Sequence, residues 1–275
     1  MIQQPCAKIN LGLNVISKRP DGYHNLETVF YPINIKDEIC IEAIPDNITT
    51  CYECSLSIKG INIDGDLQQN LIVKAYNLVK QHYTNIPKIS VKLTKNIPTQ
   101  AGMGGGSADC AYTIKMLNDM FNLKMSINEM QEMAAKLGAD CPFFINPTPS
   151  FATGIGEVLT PVDVNLSQYK MVIVKPAIMI STKEAFANIT PKEPAKCCKD
   201  IVKQPIETWK EELVNDFEQS ISNIHPEIIK IKNKLYELGA IYASMTGSGS
   251  ALYGIFKDNP DNLYNAFNNC FICVV

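Results

Sequence analysis

Pro98-Thr-Gln-Ala-Gly-Met-Gly-Gly-Gly-Ser107 carries four glycines within five positions and leads into residues 108–122, which have helical periodicity. Glycines leave the backbone bare, so that several N–H groups can approach one anion. A helix that begins directly behind such a loop adds free N–H groups and the positive end of its dipole. The stretch therefore predicts a phosphate-binding loop, with a flexible connection as the alternative.

The loop matches neither of the two common nucleotide-binding patterns. No lysine follows the glycines, as G-x-x-x-x-G-K-[ST] requires, and G-x-G-x-x-G fails at its last position, Ser107. The sequence therefore indicates a phosphate loop of another kind.

Composition allows an enzyme and argues against several other classes. The 275 residues, 46% hydrophobic and 19% charged, suffice for a large core in one or two domains. A net charge of −3 argues against non-specific binding to nucleic acid or to a membrane surface. The N-terminus lacks the apolar core of a signal peptide, and Lys175 and Pro176 interrupt the most apolar segment. We expect a cytoplasmic protein without a membrane span.

Ten cysteines include two C-x-x-C pairs, Cys51/Cys54 and Cys270/Cys273. A zinc site would need the pairs to meet from opposite ends of the chain, and no histidine stands at ligand spacing nearby. Residues three apart in a strand also point to opposite faces. In a reducing compartment we therefore expect free thiols, with structural zinc as the alternative.

Hydrophobic periodicity and turn signals predict an α+β fold without repeats. A composition change near residues 146–149 predicts a domain junction, which separates an N-terminal α/β domain over residues 1–149, containing the predicted phosphate loop, from a smaller C-terminal α+β sandwich over residues 150–275. Helices are predicted from the Asn70 cap to His82, behind the capping box Ser126-Ile-Asn-Glu129, and from residue 223 or 225 to 238. The remaining expectations are strands at residues 7–16, 28–33, 38–43, 50–63, 88–94, 150–159, 170–175, 240–244 and 251–256, a loop at 190–204, and a helix and a strand after Pro260.

Three short segments place polar residues in apolar surroundings. Lys8 and Asn10 alternate within a predicted strand and share a face, which is either functional or a solvent-facing edge. Asp140 stands just past a predicted helix end, where it is either a turn former or the cap of the next element or, beside a cation, a base. Thr246-Gly-Ser-Gly-Ser250 connects two predicted strands and suits either anion contact or an ordinary turn.

Together these segments resemble the three motifs of the GHMP small-molecule kinases. Lys8-Ile-Asn10-Leu, Gly102-x-Gly-Gly-Gly-Ser107 and Thr246-Gly-Ser-Gly249 occur in that family's order and at about its spacing. Three further segments resemble one subgroup, which phosphorylates the 2-hydroxyl of a cytidyl-diphosphate-linked methylerythritol on the non-mevalonate route to isoprenoids. They are Arg19-Pro-Asp-Gly-Tyr23-His24, Leu137-Gly-Ala-Asp140-x-Pro142 and Gly154-x-Gly-Glu157-x-Leu-Thr-Pro161.

The resemblance implies a kinase that uses ATP with Mg²⁺ as co-substrate and has no tightly bound cofactor. It implies that Asp140 is the base and that Lys8 is its partner cation. Ser107 is the only hydroxyl directly at the end of the loop, and we expect it to contact the metal or a phosphate. Substrate contacts are implied for Asn10, Tyr23, His24, Lys95, Thr182, Phe186 and Gly247. Tyr23, His24 and Phe186 are implied at the cytosine, and Asn10, Lys95 and Thr182 at the methylerythritol diphosphate part. Nucleotide contacts are implied for Pro98, Thr99, Gln100, Ala101, Gly102, Met103, Gly104, Gly105, Gly106, Ser107 and Ala108, although Ala108 stands where relatives have a second serine.

Two other interpretations stay open at this point. The chain could be another GHMP kinase, of the mevalonate or homoserine type, or a catalytically silent nucleotide sensor. The presence of both Lys8 and Asp140 favours an active enzyme. The expected partner is a small molecule rather than nucleic acid or membrane, and the expected state is a monomer or a weak homodimer.

Overall fold

The computed structural model describes residues 1–45 and 47–275, which form two compact units. Unit 1 consists of Met1–Ala7, Asn34–Thr99 and Gly104–Pro147, and unit 2 of Lys8–Ile33, Gln100–Met103 and Thr148–Val275. The division into contiguous domains at residue 149 stays a prediction. The units differ from it because the first long strand and the middle of the glycine loop group with the C-terminal half.

The helices and strands are numbered along the chain. The strands are β1 Ile2–Gln3, β2 Cys6–Lys18, β3 His24–Lys36, β4 Glu38–Ala43, β5 Cys54–Gly60, β6 Ile89–Lys95, β7 Ser150–Thr153, β8 Val158–Pro161, β9 Lys170–Lys175, β10 Tyr242–Met245, β11 Leu252–Phe256 and β12 Phe271–Val274. The helices are α1 Leu71–His82, α2 Gly105–Met120, α3 Ile127–Ala135, α4 Thr182–Ala187, α5 Cys198–Ile201, α6 Trp209–Glu212, α7 Asp216–Ile224, α8 Glu227–Glu237 and α9 Leu263–Ala266.

Unit 1 packs helices on a four-stranded sheet of order β1-β4-β6-β5, in which only the β5/β6 pairing is parallel. The predicted caps are confirmed. The Asn70 side chain accepts from the Ile72 N–H at 2.9 Å, and Ser126 and Glu129 form the capping box at the start of α3. Helix α2 packs against α1 and α3 with Ala111, Ile114 and Leu117 buried, as their spacing predicts, whereas Phe121 is only half-buried.

Unit 2 contains a sheet of order β10-β11-β9-β12, on which α8 packs, and the sheet β2-β3-β7-β8 is built mainly from its residues. Its core gathers apolar side chains of the helices and strands, among them Val15, Val172, Phe217, Ile221, Ile228, Leu235 and Phe256. This arrangement is the α+β architecture that the sequence predicts.

Several predicted elements are wrong in their limits. Residues 150–161 form the hairpin β7/β8 rather than one strand, because Gly154 and Gly156 turn the chain with φ of 72° and 118°. The stretch 190–204 is not all loop, since it contains α5, and α7 precedes the predicted 223–238 helix, which begins only after Pro226. Helix α2 begins at Gly105 rather than Ala108, directly after Gly104 in the left-handed region.

A buried ion cluster ties the end of β6 to α2 within unit 1. The Lys95 ammonium donates to the Asp37 carboxylate and, at 3.0 Å, to Asp109 Oδ2, and all three side chains are at most 4% exposed. The other Asp37 oxygen accepts from the N–H groups of Asn96 and Ile97 at 2.6 and 2.8 Å. Burial raises the pKa of Asp109 to about 7, against the effect of the Lys95 charge. The cluster thus fixes the turn that leads from β6 into the glycine loop.

We expect Lys95→Met to lower the free energy of unfolding by about 3–5 kcal/mol, because it leaves two buried carboxylates without their cation. Urea denaturation at neutral pH measures the loss. Lys92→Met is the matched control from the same strand, since Lys92 is 64% exposed beside Glu42 and its loss costs about 0–1 kcal/mol. Equal destabilisation by the two substitutions would contradict a structural role for the cluster.

Candidate active site

The segments of Lys8, Gly102 and Thr246, which resemble the three GHMP motifs, meet within unit 2 near the Lys8 ammonium. Lys8 lies on β2, is 3% exposed, and donates to Asn10 Oδ1 at 2.6 Å and to the Gly102 carbonyl at 3.0 Å. The Thr246 hydroxyl accepts from the Asn10 N–H at 3.0 Å and lies 3.2 Å from both Asn10 Oδ1 and the Gly102 carbonyl, to one of which it donates. Lys8 and Asn10 share a face as predicted, and the alternative of a solvent-facing strand edge is wrong.

Backbone contact explains why glycines stand at two of these positions. Gly102 has φ of 71°, and a Cβ there would lie 2.0 Å from the Thr246 carbonyl oxygen. Gly247 has φ of 54°, and its Cβ would lie 3.0 Å from the Gly102 carbonyl oxygen. Asn215 holds the same turn from within the unit, since its amide donates to the carbonyls of Met245 and Gly247 at 2.8 and 2.9 Å. The second and third motifs are therefore in contact through their backbones.

The middle of the glycine loop is hydrogen-bonded both to the third motif and to β2. The Ser250 and Ala251 N–H groups donate to the carbonyls of Gln100 and Ala101, each at 3.3 Å, and the Lys8 N–H donates to the Met103 carbonyl at 3.0 Å. These bonds fix residues 100–103 against segments that lie far away in the sequence.

The start of α2, in unit 1, has no side-chain cap. Gly104 is its N-cap residue in the left-handed region with φ of 70°, and it has no side chain to offer. Helices α1, α3, α4 and α7 are capped by Asn70, Ser126, Ser181 and Asn215. The first N–H groups of an uncapped helix suit an anion. A Cβ at the exposed Gly106 would meet only Leu71 Cδ1, at 3.9 Å, whereas one at Gly105 would lie 2.8 Å from the Lys95 ammonium.

Asp140 lies beside the first turn of α2 in unit 1. It is half-buried and precedes the 3₁₀ turn Cys141–Ile145, which packs on α2. The pKa of Cys141 is lowered, chiefly because the Cys110 thiol donates to it and also because Ser107 does, against the effect of burial. The structure thus places the predicted base one residue from a side chain that contacts Ser107.

His24 and Phe186, two of the three residues implied at a cytosine, lie in contact in unit 2. Their rings stack with centroids 4.7 Å apart and planes 19° apart, and Phe217 packs edge-on against Phe186. Partial burial, and then the charge of Lys18, lower the pKa of His24 below its ordinary value, which favours the neutral imidazole. Tyr23 is 58% exposed, and Thr182 is an exposed residue at the start of α4.

Two residues with implied substrate contacts are buried and engaged within their units. Asn10 is 2% exposed and also donates to the Thr28 hydroxyl at 2.9 Å, and Lys95 belongs to the ion cluster described above. Their substrate contacts stay predictions, which this burial does not favour. Sequence reasoning did not single out Thr28 or Asn215, because one polar residue in an apolar strand or loop carries no signal of its partners.

Comparison with known proteins gives one family over most of the chain. The family model described as "GHMP kinases N terminal domain" matches residues 70–146, and the one described as "GHMP kinases C terminal" matches residues 199–273. The 4-diphosphocytidyl-2-C-methyl-D-erythritol kinase of Parabacteroides distasonis is 47% identical over 99% of this chain and 98% of its own length. That of Bacteroides fragilis is 48% identical over 94% of this chain and 92% of its own length.

Solved structures agree with these relatives. A crystal structure of 4-(cytidine 5'-diphospho)-2C-methyl-D-erythritol kinase superposes with a TM-score of 0.81 at 26% identity, over 100% of this chain and 98% of its own. The mevalonate kinase of Methanococcus jannaschii gives a TM-score of 0.73 at 14% identity, over 100% of this chain and 97% of its own, which is a likeness of fold alone. In the described part of the chain, no helix is both long and apolar enough to cross a membrane.

We expect Gly102→Ala and Gly106→Ala to have opposite effects on stability. Alanine at 102 should lower the free energy of unfolding by more than about 1–2 kcal/mol, since the left-handed backbone alone costs that much and its Cβ would overlap the Thr246 carbonyl. Alanine at 106, in the first turn of α2, should be neutral or stabilising by up to about 1 kcal/mol. Thermal and urea denaturation measure both, and equal stability of the two variants would refute the proposed backbone contact.

Proposed function

Because the chain belongs to the GHMP kinase family, we propose that it transfers the γ-phosphate of ATP to the 2-hydroxyl of 4-diphosphocytidyl-2-C-methyl-D-erythritol. The observation that carries the proposal is the match, at 42–48% identity over nearly the whole chain, to relatives named for that activity. The joining of the family's three motif segments in one hydrogen-bonded network within unit 2 supports it further.

The nucleotide phosphates bind at the glycine loop and the uncapped start of α2. Phosphoryl transfer depends mainly on positioning and on neutralising charge, and helix N–H groups supply both without a side chain. Mg²⁺ arrives with ATP and neutralises phosphate charge. Mg²⁺ is bound by oxygen ligands, which include hydroxyl groups. Ser107 is half-buried and places its hydroxyl in the first turn of α2. Ser107 is therefore the residue proposed to hold the metal.

Asp140 and Lys8 carry the chemistry in this proposal. Asp140 takes the proton of the 2-hydroxyl as its oxygen attacks the γ-phosphorus in line. The bond from that phosphorus to the bridging oxygen of ADP breaks and ADP leaves, so that no covalent enzyme intermediate forms. Lys8 stabilises the negative charge of the transferred group. The support for these roles is the match of both motifs to the family, and for Lys8 also the two hydrogen bonds that fix its ammonium.

The cytidyl group binds at His24 and Phe186. A neutral imidazole both donates and accepts a hydrogen bond, which suits the polar edge of cytosine. With their centroids 4.7 Å apart the two rings already touch, so the base stacks on an outer face of the pair. The exposed aromatic side chain of Tyr23 directly precedes His24 in the chain. Thr182 and Gly247 are further candidate substrate contacts. A cytoplasmic location and a monomer or weak homodimer stay predictions.

Turnover with a panel of acceptors tests the substrate class. ATP consumption should be fast with 4-diphosphocytidyl-2-C-methyl-D-erythritol and near background with mevalonate, with homoserine and without acceptor. Preference for mevalonate or homoserine would assign another GHMP activity. ATP binding without turnover on any acceptor would indicate a nucleotide sensor.

Asp140→Asn should lower kcat by about 10²–10⁴-fold, because the amide keeps the shape of the side chain but cannot accept the proton. Both substrates should still bind, as measured by calorimetry. Asp163→Asn, at an exposed position, is the matched control and should keep the wild-type rate. More than a tenth of wild-type turnover in the Asp140 variant would exclude Asp140 as the base.

His24→Ala should raise the KM for the cytidyl substrate far more than the KM for ATP. Loss of a hydrogen-bonding partner of the base should cost about 1–3 kcal/mol of binding. His82→Ala, on the exposed end of α1, is the control and should change neither KM. A selective rise in the KM for ATP would assign His24 to the nucleotide site instead.

A further inference from the structure

Two neighbouring cysteines and a glutamate converge in unit 2 outside the residues assigned to the kinase reaction. The Sγ atoms of Cys197 and Cys198 and a carboxylate oxygen of Glu27 all lie within 4.8 Å of one another. Glu27 lies on β3, whereas the cysteines stand at the start of α5, 170 residues further along the chain. Cys198 is fully buried and the other two side chains are half-buried.

The two oxygens of Glu27 have different surroundings. Oε1 accepts from the buried Asn14 amide at 3.0 Å and from the Cys198 N–H at 3.1 Å, which fix the orientation of the carboxylate. Oε2 accepts from the Cys197 thiol at 3.3 Å. Metal-binding side chains are commonly oriented by such outer hydrogen bonds, while the remaining atom faces the ion. Here Oε2, which accepts from the Cys197 thiol, is the oxygen that Asn14 does not hold.

The Glu27 carboxylate gives this cluster a negative charge. Among the described residues, no ion pair joins Glu27 to a lysine or arginine, whereas the nearby Asp200 is paired with Lys203 at 3.9 Å. Burial, followed by the Glu27 carboxylate, raises the pKa of Cys198, and burial raises that of Cys197 as well. Without a metal both thiols therefore keep their protons. A divalent cation reverses this preference, because it stabilises thiolates.

We propose that Glu27, Cys197 and Cys198 form a binding site for a thiophilic divalent cation of the zinc class, with water as fourth ligand. Two sulfurs select Zn²⁺, Co²⁺ or Cd²⁺ over the Mg²⁺ that accompanies ATP. Tetrahedral coordination at Zn–S and Zn–O lengths of about 2.3 and 2.0–2.2 Å sets the ligand atoms roughly 3.5–3.8 Å apart, so the cluster needs to contract only slightly. Binding converts two thiols into thiolates and releases two protons to solvent.

Loading the site would connect the start of α5 to β3, the strand that carries His24. Because the complete ligand set exists only in the folded chain, the ion should stabilise the folded protein by an amount that grows with the logarithm of its affinity. This consequence does not depend on the kinase reaction, and it distinguishes the site from a mere thiol–carboxylate hydrogen bond at a helix start.

Titration of the reduced, chelator-treated full chain with Co²⁺ tests the proposal. We expect one ion per chain, a thiolate-to-cobalt charge-transfer band, displacement of cobalt by Zn²⁺, and a rise in Tm on adding Zn²⁺. Cys197→Ser and Glu27→Gln should each weaken Co²⁺ binding at least tenfold, and Cys197→Ser should also reduce the charge-transfer band. The matched control, Cys51→Ser with Cys54→Ser, removes another cysteine pair and should leave cobalt binding unchanged.

Circular dichroism and kinase turnover establish that each variant is folded. Absence of a thiolate–cobalt band in the wild type, or wild-type affinity in Cys197→Ser, would overturn the site. Wild-type affinity in Glu27→Gln would remove the carboxylate from the ligand set and overturn it equally. Loss of binding in the Cys51/Cys54 control would assign the metal to that pair instead.

Discussion

The buried ammonium of Lys8 is the constraint on which unit 2 depends. A charge at 3% exposure is costly unless hydrogen-bond acceptors surround it, and two of its acceptors are the Asn10 amide and the Gly102 carbonyl. The Thr246 hydroxyl lies 3.2 Å from both of these acceptors, so the segments of Lys8, Gly102 and Thr246 meet around the same two oxygen atoms. The close approach then requires glycine at 102 and 247. In this chain the three motif segments therefore also enclose one buried lysine, whatever ligand contacts they make.

Unit 1 holds the segments that enter and leave the glycine loop by different means. The cluster of Asp37, Lys95 and Asp109 holds the chain on the way into the loop through the N–H groups that Asp37 accepts from. Helix α2 then begins at a glycine without a cap. The buried charges of this cluster hold the chain before the loop, and no side chain caps the first helical N–H groups after it. A loop supported in this way can bind an anion without first becoming ordered.

Local sequence patterns predicted part of the fold and of the candidate site. The caps at Asn70 and Ser126 follow from residues within one turn, and the shared face of Lys8 and Asn10 follows from the period of a strand. The burial of Lys95 could not be foreseen, because its partner Asp37 lies 58 residues away and no periodicity connects them. For the same reason no residue pattern marks Lys95 as structural, and the resemblance implied a substrate contact for it. Resemblance supplied the family, but only distances reveal which polar residues are already engaged.

The discontinuity of unit 2 has a consequence for protein synthesis. The hydrogen bond between Asn10 and Thr246 spans 236 residues, which a ribosome takes roughly 10–50 seconds to translate at about 5–20 residues per second. Unit 1 ends at Pro147, so its segments are all available earlier. The strand that carries Lys8 must wait on the nascent chain, with its buried face incomplete, until Thr246 has left the ribosome. The order of translation, and not packing alone, therefore decides when the lysine site first exists.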